Sequence, residues 1–551
     1  MRVLLLNICL FLYFPVFTQT AEKLQVHFDK PFYVSGEDAW YKIYFENEPA
    51  TIQSKVVRVE WLSPDGAVIL QQKLKVENNF AVGDLAIPYD WSEGNYLFRA
   101  YTLWGLNFGD QQYFQQIIPV YNLLETPKAA EQSIEKQPIK QTDNSSKGNL
   151  QIDITTNTAN YKKRDFVDLN IELKDANGNP IAGHISIAVL DGNYMGEIEG
   201  TEIKSQETST SSTFNQKFEA EKGLVLNGQL VDKTGKPLDT RFLSIFFPNT
   251  KSFERTSISK GKLTIPIPEF EGEQPIQFFD MNPFHEPIPQ LKLTEIAWNP
   301  SYKGQTLWRS KSVANYLFLL SKFRQYREVF KLKNADYGPK FSFLKNNWEP
   351  DKDWTMEKYT GLSDLASFAA EIIAAGRVVG KGKDRSIRLQ YGEKSIYNKL
   401  SPWYLVNGWL TEDEVTALKI PFREIEKVEL FNTKKSIASQ LDPSMVSRGM
   451  LTINTKDGKT PNELIKKPNN LTISGYYPTR QFPDVGIIDK QIPDLRPVIY
   501  WNPTIATTIN GTAKIRFKTS DSIGTHWISV VGQGANGEIV TTKLGYEVTV
   551  E

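Results

Sequence analysis

The run Asp29-Lys30-Pro31-Phe32-Tyr33-Val34-Ser35-Gly36-Glu37-Asp38-Ala39-Trp40-Tyr41-Lys42 decides how the chain is read. Pro31 ends a strand because it has no N–H to give to a ladder, and Gly36 turns the chain. Beyond the turn, Trp40, Lys42 and Tyr44 alternate with Tyr41, Ile43 and Phe45, the period of two that marks a strand. The pattern continues outward. Val57, Val59 and Trp61 face one way, Arg58 and Glu60 the other, and Ser63-Pro64-Asp65-Gly66 supplies a tight turn. From Leu24 to Tyr121 the spacing predicts an antiparallel sandwich with one wet face on each sheet.

The chain has 551 residues, which at roughly 150 residues per domain predicts several domains. Lys plus Arg and Asp plus Glu are 64 each, so no bulk field draws the chain to nucleic acid. With 40% hydrophobic residues and 12% aromatics, composition excludes a mostly disordered or collagen-like chain. Met1-Arg2, the apolar run Val3 to Phe17 and the exit Thr18-Gln19-Thr20-Ala21-Glu22 predict a signal peptide over residues 1–20. The run falls short of the roughly 20 residues a membrane helix needs. The only cysteine, Cys9, lies within it, so no disulfide, thiolate metal site or thiol chemistry is expected after cleavage. The next best apolar run, Val313 to Phe323, is short and flanked by Lys311 and Lys322. The mature chain is therefore expected to be exported, without a transmembrane span, in the periplasm, at the outer membrane or on the cell surface.

Punctuation along the chain predicts further divisions. A sandwich over 22–122 is followed by a polar linker, 123–149, whose stretch Glu125 to Gly148 has too little apolar surface to order itself. Ile152/Ile154 and Leu169/Ile171/Leu173 open a second sandwich, 150–222, and a third, 223–290, contains the turn Asp232 to Leu238. In a helical connector over 291–350, Val313, Tyr316, Leu317, Leu320 and Phe323 share one helix face. An α+β domain is expected over 351–460. In it Leu365, Phe368, Ala369 and Ile372 mark a helix capped by Ser363, and Thr411-x-x-Glu414 reads as a capping box. A last sandwich, 461–551, shows Ile515 and Phe517 alternating with Lys514, Arg516 and Lys518.

Four groups of residues carry family likenesses. Asp29 to Lys42, with Gly94-Asn95-Tyr96-Leu97-Phe98-Arg99-Ala100-Tyr101-Thr102-Leu103-Trp104, resembles a macroglobulin-type domain of the alpha-2-macroglobulin family as found in exported proteins of the Bacteroidota. Pro493-Asp494-Leu495-Arg496, Tyr500-Trp501-Asn502-Pro503 and Ser520 to Trp527 resemble the later domain that precedes the thioester domain in that family. The thioester needs a cysteine, and the closest string, Glu271-Gly272-Glu273-Gln274, has Glu271 at that place, so covalent trapping is not expected. Trp403-Tyr404-Leu405-Val406-Asn407-Gly408, Ile425 to Phe431 and Arg448 to Lys456 resemble the plug of TonB-dependent outer-membrane receptors, with Asn407 where that family usually has Asp. Too few residues follow Lys456 for a receptor barrel. Val225 to Phe279 is similar to the carboxypeptidase regulatory-like domain, a transthyretin-like sandwich without peptidase activity. The expected fold class is mainly β: tandem immunoglobulin-like or macroglobulin-type β-sandwiches plus one small α+β plug-like domain.

No enzymatic constellation emerges. His27, His184, His285 and His526 are far apart in sequence and lack metal-ligand spacing. Asp175-x-Asn177-x-Asn179 starts like a calcium loop, but Pro180 takes the glycine position and Ser186 that of the closing Glu. Gly376-x-x-x-Gly380-Lys381-Gly382 is one residue short of a phosphate loop. No G-x-S-x-G or H-E-x-x-H occurs, and acids such as Glu426 and Glu429 read as surface charge. Trp403, Trp409, Tyr476, Tyr477, Trp501 and Trp527 sit at turns, where a binding edge competes with ordinary core packing. The expected partner-binding residues are Trp403, Tyr404, Asn407, Trp409, Tyr476 and Tyr477, with no catalytic residue, cofactor or metal. The leading expectation is a non-enzymatic cell-envelope protein docking on an outer-membrane barrel protein or other envelope machinery through the plug-like domain. The alternative is a thioester-less protease-binding protein with a bait loop at Glu125 to Gly148 or Thr201 to Thr213.

Overall fold

The computed structural model describes residues 20–46, 49–109, 113–124, 130–131, 150–195, 214–238, 241–258, 260–280, 290–294, 302–304, 307–329, 348–390, 397–433, 447–467, 469–483 and 493–550. The expected signal peptide (apart from Thr20), both bait-loop candidates (apart from the backbone of 130–131) and His285 lie outside them. The protein is mainly β and divides into two compact units, one made of 1–222, 301–338 and 479–551, the other of 223–300 and 339–478.

In the first unit, one sandwich pairs a five-stranded sheet with a three-stranded one. The five strands run Tyr33–Val34, Phe114–Tyr121, Gly94–Tyr101, Val56–Leu62, Val68–Lys75, and the three Leu24–Phe28, Asp38–Phe45, Phe80–Ala86. Gly36 turns the chain at φ 87°, as its place in the opening run requires. The expectation of a wet face fails for the three-stranded sheet. Trp40, Lys42 and Tyr44 are as buried as Tyr41, Ile43 and Phe45, because other parts of the unit cover the outer face.

The segments 150–222 and 461–551, expected as separate sandwiches, contribute to a single one. Its three-stranded sheet is Leu150–Thr156, Phe166–Asp175, Thr512–Lys518, and its five-stranded sheet is Asn160–Lys162, Ile539–Thr549, Gly524–Gly534, Gly183–Asp191, Val498–Ala506. Among the described residues neither segment supplies enough strands to close two sheets over a core. Interleaved, they bury Ile171, Leu173, Ile187 and Val189 with Ile515, Phe517, Ile528, Val530 and Val548 in one cluster. The helix Lys311–Val329 is no mere connector. The Ser310 hydroxyl accepts from Val313 N at 3.2 Å, and Val313, Tyr316, Leu317 and Leu320 pack with Phe32, Trp40, Tyr121, Leu190 and Trp501.

In the second unit a sandwich has sheets Lys262–Pro266, Val225–Val231, Gln290–Leu293 and Ser252–Ile258, Arg241–Phe247, Glu273–Asp280, Asn470–Ser474. Its last strand therefore comes from the stretch assigned by sequence to the C-terminal domain. The α+β module is a mixed sheet in the order Lys352–Thr355, Ile425–Phe431, Met450–Thr455, Trp403–Val406, Trp409–Thr411. Helices Leu365–Glu371 and Glu414–Leu418 contribute Phe368, Ala369 and Ala417 to the core on one face of that sheet. Two caps differ from expectation by a residue or two. Asp364, not Ser363, accepts from Ser367 N at 2.8 Å. Asp413, not Thr411, accepts from Thr416 N at 3.0 Å, which frees Glu414 for other work.

Candidate functional site

The candidate site residues fall on the α+β module and the sandwich beside it in the second unit. One face of the mixed sheet packs against helices through Val406, Ile425, Val428, Leu451 and Ile453. The other presents Trp403, Leu405, Leu410, Phe431 and Met450, and these meet Phe246, Phe253 and Phe279 of the sandwich. Gln277 seals this contact with two bonds to Leu410, donating to its carbonyl at 3.0 Å and accepting from its N–H at 2.8 Å.

That packing corrects the expected aromatic edge. Trp403 is 6% exposed, with its ring 5.2 Å from Phe279 edge-on and the Arg448 guanidinium 5.1 Å from its centroid. Tyr404 is fully buried and donates to Glu414 at 2.7 Å. Burial first, then the Glu414 charge and hydrogen bond, pushes its phenol well above its ordinary value. Tyr476 is buried beside Phe270, donating to Glu269 at 3.3 Å, and Trp501, in the first unit, is buried 5.1 Å from the His27 ring. Trp403 and Trp501 are buried because the sheet faces that carry them pack against a second layer, which sequence spacing does not reveal. Trp409, Tyr477 and Trp527 remain half-buried.

Asn407 and Gly408 form the two-residue turn between strands 403–406 and 409–411, with φ of 46° and 90° and Val406 opposite Trp409. That is the backbone an Asn-Gly hairpin adopts. The Asn407 side chain fastens the turn to the neighbouring strand end: it accepts from Thr455 N at 2.8 Å and donates to Thr455 Oγ1 at 2.9 Å and Lys459 O at 2.7 Å. Asn407 is thus a structural clasp. Among the described residues of the hairpin and the following helix, half-buried Trp409 and Val415, 62% exposed, offer apolar surface.

Sequence reasoning did not single out Glu414 as a partly buried hub. It accepts from Ile387 N at 2.8 Å, from Tyr404 and from the Ser386 hydroxyl, which ties the ribbon Gly376–Val379/Ser386–Leu389 to the sheet. The Arg388 guanidinium lies 3.9 Å away. Each of these bonds is structural.

In the first unit the polar residues of the opening run are likewise consumed by structure. Tyr33 donates to Asp29 at 2.6 Å, Trp40 N donates to the same oxygen at 3.0 Å, and Lys30 pairs with Glu37 at 2.6 Å, while Tyr316 from the helix 311–329 also donates to Glu37. Burial pushes the Asp29 carboxyl up to about 7, against the opposing pull of Lys30 and the Tyr33 hydrogen bond. Nearby, Arg99 and Glu60 form a buried ion pair completed by Tyr101, which donates to Glu60 at 2.9 Å. The Asp175 turn uses its carboxylate on its own loop, accepting from Asn177 N at 2.9 Å and Asn179 N at 2.8 Å. Among the described residues no group of three or more His, Cys, Asp or Glu side chains is placed to hold a metal, and no helix is long and apolar enough to cross a membrane.

No family model and no curated protein matches the chain. Among solved structures it is similar to an alpha-2-macroglobulin of Escherichia coli activated by porcine elastase, at 9% identity and a TM-score of 0.25 over 96% of this chain and 44% of that one. It is also similar to a membrane-anchored protein of Corynebacterium diphtheriae, at 10% identity and a TM-score of 0.15 over 51% and 62% of the two chains. An Escherichia coli adhesin aligns at 9% identity and a TM-score of 0.15 over 52% and 64%. The chain spans less than half the length of the macroglobulin, and superpositions at these scores carry no argument about activity.

Proposed function

We propose that this chain is a non-enzymatic, exported binding or scaffold protein of a bacterial cell envelope. Its sandwiches act as spacers and its α+β module docks on an outer-membrane barrel protein. One observation carries the reading. The three sequence blocks that resemble a receptor plug lie side by side as strands 425–431, 450–455 and 403–406 of one mixed sheet. Asp364 and Asp413 in that module cap helices, and Glu414 ties a ribbon to the sheet. That disposition supports a binding role over a catalytic one. The docking surface is the hairpin and helix carrying Trp409 and Val415.

A photoreactive residue placed at Val415 tests the reading in intact cells, because that position is exposed and holds nothing together. Crosslinking to an outer-membrane barrel protein is the expected outcome; recovery of the chain only as a free, uncrosslinked monomer would defeat it. Asn407 is unsuitable for the probe, since its replacement undoes the turn. A broad hydrolase screen is expected to show no turnover. The protease-binding alternative predicts a change in small-angle scattering after limited proteolysis, and superimposable curves would remove it.

A further inference from the structure

The outer face of the three-stranded sheet in the first unit carries titratable side chains yet is shut from water. His27 and Lys42 are opposite one another on adjacent strands, and they, with Tyr44, are fully buried. The cover is the five-stranded sheet of the second sandwich. Tyr44 donates to the Ser186 hydroxyl at 2.6 Å and to Val531 O at 3.1 Å, and His27 Nδ1 lies 2.7 Å from the same hydroxyl. Gln533 donates to Phe45 O at 2.6 Å, the His184 ring packs on Phe80 at 5.1 Å, and Trp501 packs on His27.

Lys42 has no hydrogen-bond acceptor in this seam. Its Nζ lies between the rings of Phe80 and Tyr44, 4.0 and 4.3 Å from their centroids, and His27 Nε2 is also unpartnered. The other titratable groups around the seam offer no relief. His184 and Lys543, from the covering sheet, add positive charge or none, and Tyr44 is a phenol. Asp84, on the strand beside Lys42, is engaged by Arg480 at 2.5 Å, and Asp38 by the same guanidinium at 2.8 Å. Glu46, at the exposed end of the strand, accepts from Gln25 at 3.2 Å.

We propose that this seam is a proton-operated latch. Acid charges Lys42 and His27 side by side with no free carboxylate to receive them, and the two sandwiches part. Burial holds both bases down: Lys42 well below its ordinary 10.5, and His27 at about 3, with the Lys42 and Lys543 charges adding to the effect on His27. A base depressed in the closed state takes up protons on opening, so closure weakens as pH falls below the base's ordinary value. For His27 that window runs from 6.5 down to about 3; for Lys42 the weakening begins near 10.5 and is already present at neutrality.

Hydrogen exchange on the full chain, converted to protection factors, tests the latch. Between pH near 7.5 and near 4.5, protection of strands 24–28 and 38–45 is expected to fall by roughly tenfold or more while the core strand 166–175 keeps its own. The Lys42→Met, His27→Gln double variant is expected to remove most of that fall, and Lys42→Met alone, close to isosteric, to reduce it. Seam protection that changes less than about twofold in the unmodified chain, or variants that respond to acid as it does, would overturn the proposal.

Discussion

Asn407 holds a left-handed backbone conformation that asparagine tolerates and most residues do not, and its amide makes the three bonds that join the hairpin to Thr455 and Lys459. Asn407→Ala is expected to destabilise the second unit by about 1–3 kcal/mol in urea titration, through backbone strain and unsatisfied partners. Asn407→Asp keeps the acceptor for Thr455 N and loses the two donated bonds, so its loss is expected to be smaller than that of the alanine variant. The Asn-Gly pair is legible in sequence as a hairpin turn with no appeal to any family. Burial of the neighbouring Trp403 is not, because it depends on Phe279, more than a hundred residues earlier, arriving against the same face.

At the scale of elements, the helix Leu365–Glu371 was readable from its spaced apolar residues, while its cap was displaced by one position because Ser363 and Asp364 are both good caps. Burial alone would raise the Asp364 carboxyl. The Arg385 guanidinium and the Ser367 N–H outweigh it and hold the group well below its ordinary value. Asp364→Ala is expected to lower stability by about 1 kcal/mol, most of it from the lost cap, since the ion pair is partly exposed. The sign follows from the depressed acid: the contribution is complete above pH 3.8 and is lost as pH falls through the lower folded value. Melts of the two proteins should therefore differ at pH 7 and converge in strong acid. Strand 38–45 was equally legible as a strand, but its wet face was not to be found. Trp40, Lys42 and Tyr44 have apolar bodies with polar tips, and such residues fit a solvated face or a buried seam equally well.

At the scale of the whole molecule, alternation and turn residues disclosed mainly β domains, and the shift in period located the α+β module between them. The joining of 150–191 with 498–549 was hidden, since each stretch reads as an ordinary run of strands and periodicity says nothing about which strands pair across hundreds of residues. A fragment of 150–222 is expected to show no cooperative thermal transition. The same strands carried by 150–195 and fused through a short linker to 493–550 are expected to melt cooperatively, and a folded 150–222 fragment would contradict the shared core.

That shared core has a consequence in time. Strands 166–175 and 183–191 emerge from the ribosome with Ile171, Leu173, Ile187 and Val189 uncovered, and the strands that shelter them begin only at Val498. At roughly 5–20 residues per second, the wait is on the order of tens of seconds, long enough for exposed strand edges to find the wrong neighbour. How long the early half of that sandwich stays open is therefore set by topology, independent of how stable the finished sandwich is.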